Sequence, residues 1–325
     1  MTRIAVFGAG AIGCWVGGRL SAGGADVTLV GRPRVLDEIE DGVTLSDLDG
    51  KTWKAKPALA TEPVAADLIL VTVKSAQTAE AARALAGARV VVSLQNGVRN
   101  VDVLRAALPG ARVLAGMVPF NVARIAPGHY HRGTTGTLMF EAADELAPLT
   151  EACVKADLPI ELRDDMTAVQ WSKLVMNLNN AINALSGVPL FEELSNRDFR
   201  RCLSLAMREA FAVLRAANVP VARLLLLPPR WIPRILPMPD WLFRLVANRV
   251  ATADPKARSS MYDDLAGGRP TEIDYLQGEI VKLGAAPVNA RLIELVRAAE
   301  AGGKRDFTGA ELLAELSRPG ARAAS

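Results

Sequence analysis

Residues 4–13 read I-A-V-F-G-A-G-A-I-G, a short apolar run that breaks directly into Gly8, Gly10 and Gly13 in G-x-G-x-x-G register. Few backbones accept that spacing. Glycine at 8 permits a tight turn off a strand. Glycine at 10 lets main-chain N–H groups approach an anion with no Cβ between them. Glycine at 13 lets the following helix pack closely on the strand. The helix N-terminus then presents its partial positive charge to the loop. The motif alone is weak evidence, but here it follows a strand-like run and opens a helical one, the setting in which it holds a dinucleotide pyrophosphate. Gly8, Ala9, Gly10, Ala11, Ile12 and Gly13 form the expected cofactor loop.

The first half repeats that alternation. Continuous apolar runs at 4–7, 27–30, 68–73, 90–94 and 113–117 read as strands buried on both faces. Helical stretches at 12–21, 75–85 and 98–107 separate them. Residues 44–54 suggest a hairpin turning at Asp49-Gly50, and 125–140 suggest late strands. From about 166 the texture becomes helical: 167–185, 197–217, 254–265, 272–283 and 290–301. The expected fold is α/β, a Rossmann-type doubly wound parallel sheet over 1–165 followed by an all-helical catalytic domain over 166–325. A proline-rich apolar stretch at 224–242 reads as a packed loop joining two helices, with a lid or subunit surface as the alternative.

Bulk properties narrow the partners. The net charge is +3, with no basic tail or long like-charge run, which argues against nucleic acid. Three widely spaced cysteines show no metal-ligand spacing and read as reduced thiols. No signal peptide is expected, and arginines and prolines interrupt the most apolar stretch, so no membrane span is expected. A cytoplasmic protein acting on a small molecule fits these features, with a homodimer as one expectation from the proline-rich stretch.

Polar residues then appear where strand ends should line a crevice. After the second strand the chain has Arg32, with Arg34 nearby, where NAD enzymes usually carry an acid. A guanidinium pairs with a 2′-phosphate that a carboxylate would repel, so NADP(H) is the expected cofactor. Lys74, in V-K-S, and Asn96, in Q-N-G, follow two further strands. In W-S-K-L-V-M-N-L-N-N, Lys173, Asn177 and Asn180 share one face of a helix at i, i+4 and i+7. A lysine partly withdrawn from water there would suit a proton donor near neutral pH, whereas a snorkelling lysine is the commoner fate. Thr271 looks like an N-cap to a helix opening with Glu272. Ser260 and Glu272 are hard to single out by physics alone.

Together these residues resemble the ketopantoate reductases (2-dehydropantoate 2-reductases) over nearly the whole chain. The carrying motifs are G-A-G-A-I-G, V-K-S, Q-N-G, W-x-K-L with Asn177, and S-S-M followed by G-R-P-T-E-I-D-Y-L-x-G. The resemblance implies NADPH-dependent reduction of 2-dehydropantoate, a 2-oxo acid, to (R)-pantoate on the pathway to pantothenate and coenzyme A. It implies Lys173 as general acid and Glu272 as the carboxylate holding substrate and nicotinamide. Asn96, Asn177, Asn180 and Ser260 would bind substrate, and Lys74, Asn96 and Ala123 would lie near the cofactor. One spacing departs from the family: Asn180 stands seven residues after Lys173 rather than eight, and Leu190 stands where many members have asparagine. Asn183 is therefore an alternative contact. A related dehydrogenase for another 2-oxo acid, and a non-catalytic NADP(H) sensor, are the competing readings.

Overall fold

The computed structural model describes residues 2–224, 227–247 and 257–318. The chain divides into two compact units, Met1–Met166 and Thr167–Ser325.

The first unit is built on an eight-stranded sheet. Its strands are β1 (Arg3–Phe7), β2 (Asp26–Val30), β5 (Ala58–Ala60), β6 (Leu68–Val71), β7 (Val90–Ser93), β8 (Arg112–Met117), β11 (Leu138–Glu141) and β12 (Ile160–Arg163). The order is β12-β11-β8-β7-β6-β1-β2-β5. All neighbours run parallel except β8 and β11. The winding reverses between β1 and β6, which creates the crevice expected of a doubly wound sheet. Helix α1 (Ala11–Ala22) follows β1, and α2 (Pro33–Asp37), α3 (Thr78–Ala84), α4 (Asn100–Ala107) and α5 (Ala147–Lys155) follow later strands. The expected hairpin is present as β3 (Val43–Ser46) and β4 (Thr52–Ala55), with Gly50 at φ +82° in its turn. It joins β9 (Val122–Ala126) and β10 (His129–Arg132) in a second sheet, β4-β3-β10-β9, which packs on α1. Arg19 fastens this layer. It is 2% exposed, lies 3.5 Å from the Trp53 ring centroid, and donates to the carbonyls of Ala156 and Asp157 beyond α5.

The second unit is helical. Around α9 (Arg197–Ala216) pack α7 (Asn179–Ser186), α8 (Leu190–Ser195), α10 (Ile232–Ile235), α13 (Gln277–Leu283), α14 (Pro287–Glu300) and α15 (Gly309–Leu316). Glu209 on α9 caps α14 by accepting from the N–H groups of Val288 and Asn289, at 3.0 and 2.9 Å. The remaining helices are α6 (Met166–Asn177), α11 (Asp240–Ala247) and α12 (Ser260–Ala266). Among the described residues no helix is long and apolar enough to cross a membrane.

Three expectations need correction. The helix read over 167–185 is divided into α6 and α7 by a one-residue interruption at Leu178, which keeps helical angles. A hydrophobic period cannot register that the Leu178 carbonyl accepts from Gln277 Nε2, at 2.9 Å, a partner far along the chain. Thr271 is not the N-cap of a continuous helix: a 3₁₀ turn at Ile273–Tyr275 precedes α13, and the Thr271 hydroxyl only accepts a long bond from the Ile273 N–H, at 3.4 Å. Of the helix read over 254–265, residues 254–256 lie outside the described residues, and α12 starts at Ser260.

The proline-rich stretch is more than a loop; residues 225 and 226 lie outside the described residues, and the rest includes α10 and the start of α11. Arg200 holds it. This fully buried side chain donates to the carbonyls of Leu194, Ser195, Leu236 and Met238 and to Asp240. Its guanidinium also lies 4.2 Å from the Phe243 ring centroid. Removing it strands several buried acceptors. Arg200→Ala is expected to lower the unfolding free energy by about 1–3 kcal/mol, the usual cost of leaving a buried polar group unmet, since its ionic partner Asp240 is itself half exposed. Denaturant unfolding measures this, and a loss under about 1 kcal/mol would show that water replaces the guanidinium.

Candidate active site

In the first unit the cofactor-side residues share one rim. The loop of Gly8–Gly13 leaves β1, Arg32 follows β2, Lys74 follows β6 and Asn96 follows β7, all at carboxyl ends of adjacent parallel strands. Gly8 adopts φ +123°, and its N–H and that of Ala9 donate to Val30 O at 2.9 and 3.1 Å. A Cβ at position 13 would stand 2.0 Å from the Gly8 carbonyl oxygen and 2.6 Å from Thr72 Oγ1. A Cβ at position 10 would meet nothing within 4 Å. Gly13 is thus demanded by packing, whereas Gly10 leaves open the space that an anion would need. No side chain caps α1 at Gly10, so its first-turn N–H groups face the loop without a competing side-chain acceptor. These features fit a dinucleotide pyrophosphate. Cys14 below the loop is no nucleophile: burial pushes its thiol to about 11.

Arg32 and Arg34 are exposed, and Arg32 starts α2 in extended conformation. Lys74 is exposed at the start of the 3₁₀ turn Ser75–Gln77, and Asn96 is half-buried. A buried network unites the last two loops. Gln95 Nε2 donates to Val73 O at 3.0 Å and to Thr78 Oγ1 at 2.8 Å, while Gln95 Oε1 accepts from Ser93. Asn100 Nδ2 donates to Asn96 O at 2.6 Å and to Ser75 Oγ at 3.2 Å, and Ser75 Oγ donates to Asn96 O at 2.9 Å. Thr78 Oγ1 lies 2.8 Å from Asn100 Oδ1. Thr78 and Asn100 were not singled out in the sequence, because a polar residue in the first turn of a helix looks like an ordinary cap. Ala123 is exposed on edge strand β9 of the second sheet, paired with His131, in the segment that follows the carboxyl end of β8.

In the second unit, Lys173 and Asn177 lie one turn apart on α6, and Asn180 follows the break on α7. Asn177 is buried and Lys173 half-buried. Burial lowers the Lys173 pKa to about 8, so the group can lose or hold a proton near neutrality. Ser260 is exposed at the start of α12; the N-cap is the buried neighbour Ser259, whose Oγ accepts from the Tyr262 N–H. Glu272 is half-buried just before the 3₁₀ turn. Two hydrogen bonds draw these segments to the α6–α7 corner: Gln277 to Leu178 O, and Ser259 Oγ to Asn180 O at 3.4 Å. Asn183 is fully buried and engaged at both ends of its amide, donating to Val188 O and Glu193 and accepting from the Ser259 N–H. It belongs to the framework under Asn180.

The two glycines should separate on mutation. Gly13→Ala is expected to destabilise the unit by about 1–3 kcal/mol through overpacking. Gly10→Ala should leave thermal stability within about 0.5 kcal/mol, yet weaken dinucleotide affinity about tenfold or more. Thermal melting and fluorescence titration with a reduced nicotinamide dinucleotide read the two effects; equal losses in both variants would refute the division.

The chain matches the family model for ketopantoate reductase PanE/ApbA over residues 4–145 and the model for the C-terminal part of that family over 165–300. It is 32% identical to the 2-dehydropantoate 2-reductase of Halobacterium salinarum over 320 residues, covering 93% of this chain and all of the relative. Among solved structures it is similar to a PanE/ApbA family ketopantoate reductase from Ralstonia eutropha, with TM-score 0.77, 32% identity, and 92% and 99% of the two chains covered. It also shares its fold with D-mandelate dehydrogenase bound to NADH and anilino(oxo)acetate, with TM-score 0.74, 21% identity, and 92% and 99% covered. With both halves matched in order, the chain belongs to the ketopantoate reductase PanE/ApbA family of oxidoreductases.

Proposed function

We propose that the protein reduces 2-dehydropantoate to (R)-pantoate with NADPH. The observation that carries this reading is Lys173, a lysine lowered by burial to about 8 and followed one turn later by buried Asn177. The bound cofactor would supply the hydride for the 2-oxo carbon. The chain's own groups do the rest. First-turn N–H groups at Gly10–Gly13 hold the pyrophosphate, and Arg32 pairs with the 2′-phosphate. Lys74 and Asn96, braced by the Gln95–Thr78–Asn100 network, border the nicotinamide end. Asn177, Asn180 and Ser260 orient the 2-oxo acid, and Glu272 helps hold it. As negative charge grows on the carbonyl oxygen, the Lys173 ammonium stabilises it and donates the proton. The three cysteines, all free and buried, suit a reducing compartment such as the cytoplasm.

Lys173→Ala is expected to lower turnover about 10²–10⁴-fold. The pH dependence has a fixed sign. Below about 8 Lys173 is the ammonium and can donate; above it the amine cannot. Reduction should therefore decline as pH rises through that value, about tenfold per unit, and the alanine variant should lose this limb. A variant with wild-type turnover removes the role. Arg32→Glu should cut kcat/KM with NADPH about tenfold or more and favour NADH, since a charge-assisted bond contributes about 1.5–3 kcal/mol. An unchanged cofactor ratio places the 2′-phosphate elsewhere.

A second reading, reduction of a different 2-oxo acid, is favoured by the displaced Asn180. Turnover on 2-dehydropantoate against other branched 2-oxo acids separates the two. A non-catalytic sensor of NADP(H) would have no need of Lys173 and Glu272, and both are present.

A further inference from the structure

The second unit buries an acid that the proposed chemistry does not use. Glu193 on α8 is 1% exposed. Its Oε2 accepts from Asn183 Nδ2 at 2.7 Å. The same amide accepts at Oδ1 from the Ser259 N–H, at 2.8 Å. Ser259 immediately precedes Ser260, and its hydroxyl reaches Asn180 O. A continuous polar chain thus runs from Glu193 through Asn183 to both expected substrate contacts. The same strap is braced twice more: Arg258 donates to Gly187 O, and Leu190 N–H donates to Ala257 O at 2.9 Å.

A second observation concerns the proton. Glu193 Oε1 and Asn179 Oδ1 are both buried without a hydrogen-bond partner, and the Asn179 amide lies beside the carboxyl. With the amide oxygen turned to the acid, one proton on Oε1 satisfies both atoms. Burial, opposed by the Asn183 amide, pushes Glu193 up to about 8, and turning the Asn179 amide oxygen to the acid removes the second opposing donor, which keeps that proton in place near neutrality.

We propose that Glu193, as a neutral acid, and Asn183 are positioning residues that fix the strap at 257–260 and the start of α7, so that Ser260 and Asn180 meet the 2-oxo acid. The inference rests on the reading of those two residues as substrate contacts.

The test compares Glu193→Gln, Glu193→Ala and Asn183→Ala in the full chain. Glutamine reproduces the neutral acid, donating to Asn179 and accepting from Asn183. Glu193→Gln should keep KM for the 2-oxo acid within about twofold, while the alanine variants raise it about tenfold or more, with KM for NADPH within about twofold. Amide exchange at 257–262, measured without substrate, should accelerate in the alanine variants and not in the glutamine variant. Should Asn183→Ala fail to fold, the Glu193 pair decides. Three results overturn the proposal: a glutamine variant as impaired as alanine, a parallel rise in both KM values, or unchanged exchange at 257–262. If the wild type reduces no 2-oxo acid, the functional reading fails, while the exchange data still decide whether Glu193 and Asn183 fix the strap.

Discussion

The contact between Gly13 and the Gly8 carbonyl governs the cofactor side of the protein. Any side chain at 13 would collide with that oxygen and with Thr72 Oγ1, which itself donates to Gly8 O at 2.7 Å. The approach seats the first turn of α1 over the ends of β1 and β6, where the winding of the sheet reverses. Arg32, Lys74 and Asn96 then follow by topology. Each leaves the carboxyl end of a strand whose neighbours are fixed by parallel pairing, so the rim is set once the sheet forms.

The central strands were legible because they are buried on both faces. β6 is Leu-Ile-Leu-Val with every residue buried, and no polar alternation blurs it. The sheet's margins were not legible. β12 alternates apolar and charged residues, and β5 is three residues long, so neither carries a continuous run. The corner at Leu178 was hidden for another reason. The Leu178 carbonyl accepts from an amide 99 residues later, and a helical period reports burial rather than such a partner. The motif-bearing residues of the site were readable. Their supports, Thr78, Asn100, Ser259 and Glu193, were not, since each has a local reading as a cap or a solvated acid that costs nothing to assume.

These supports share a chemical character. The network behind Lys74 and Asn96 consists of amides and hydroxyls, and the one behind Asn180 and Ser260 adds an acid that burial favours in its neutral form. Such networks rigidify a site when fully satisfied, because each unmet buried bond costs about 1–3 kcal/mol.

The conformation at Leu178 also bears on the unusual asparagine spacing. On one unbroken helix, moving a residue from eight to seven places after Lys173 would swing its side chain by about 100°, onto a different face. Here α6 ends at Asn177 and α7 restarts at Asn179, but Leu178 between them keeps right-handed helical angles, φ −57° and ψ −21°, and its N–H still donates to Leu174 O, so Asn180 stays close to the helical phase of Lys173. α7 is also held against α12, through Ser259 and Asn183. The seven-residue spacing therefore places Asn180 on a different face from a residue eight places after Lys173.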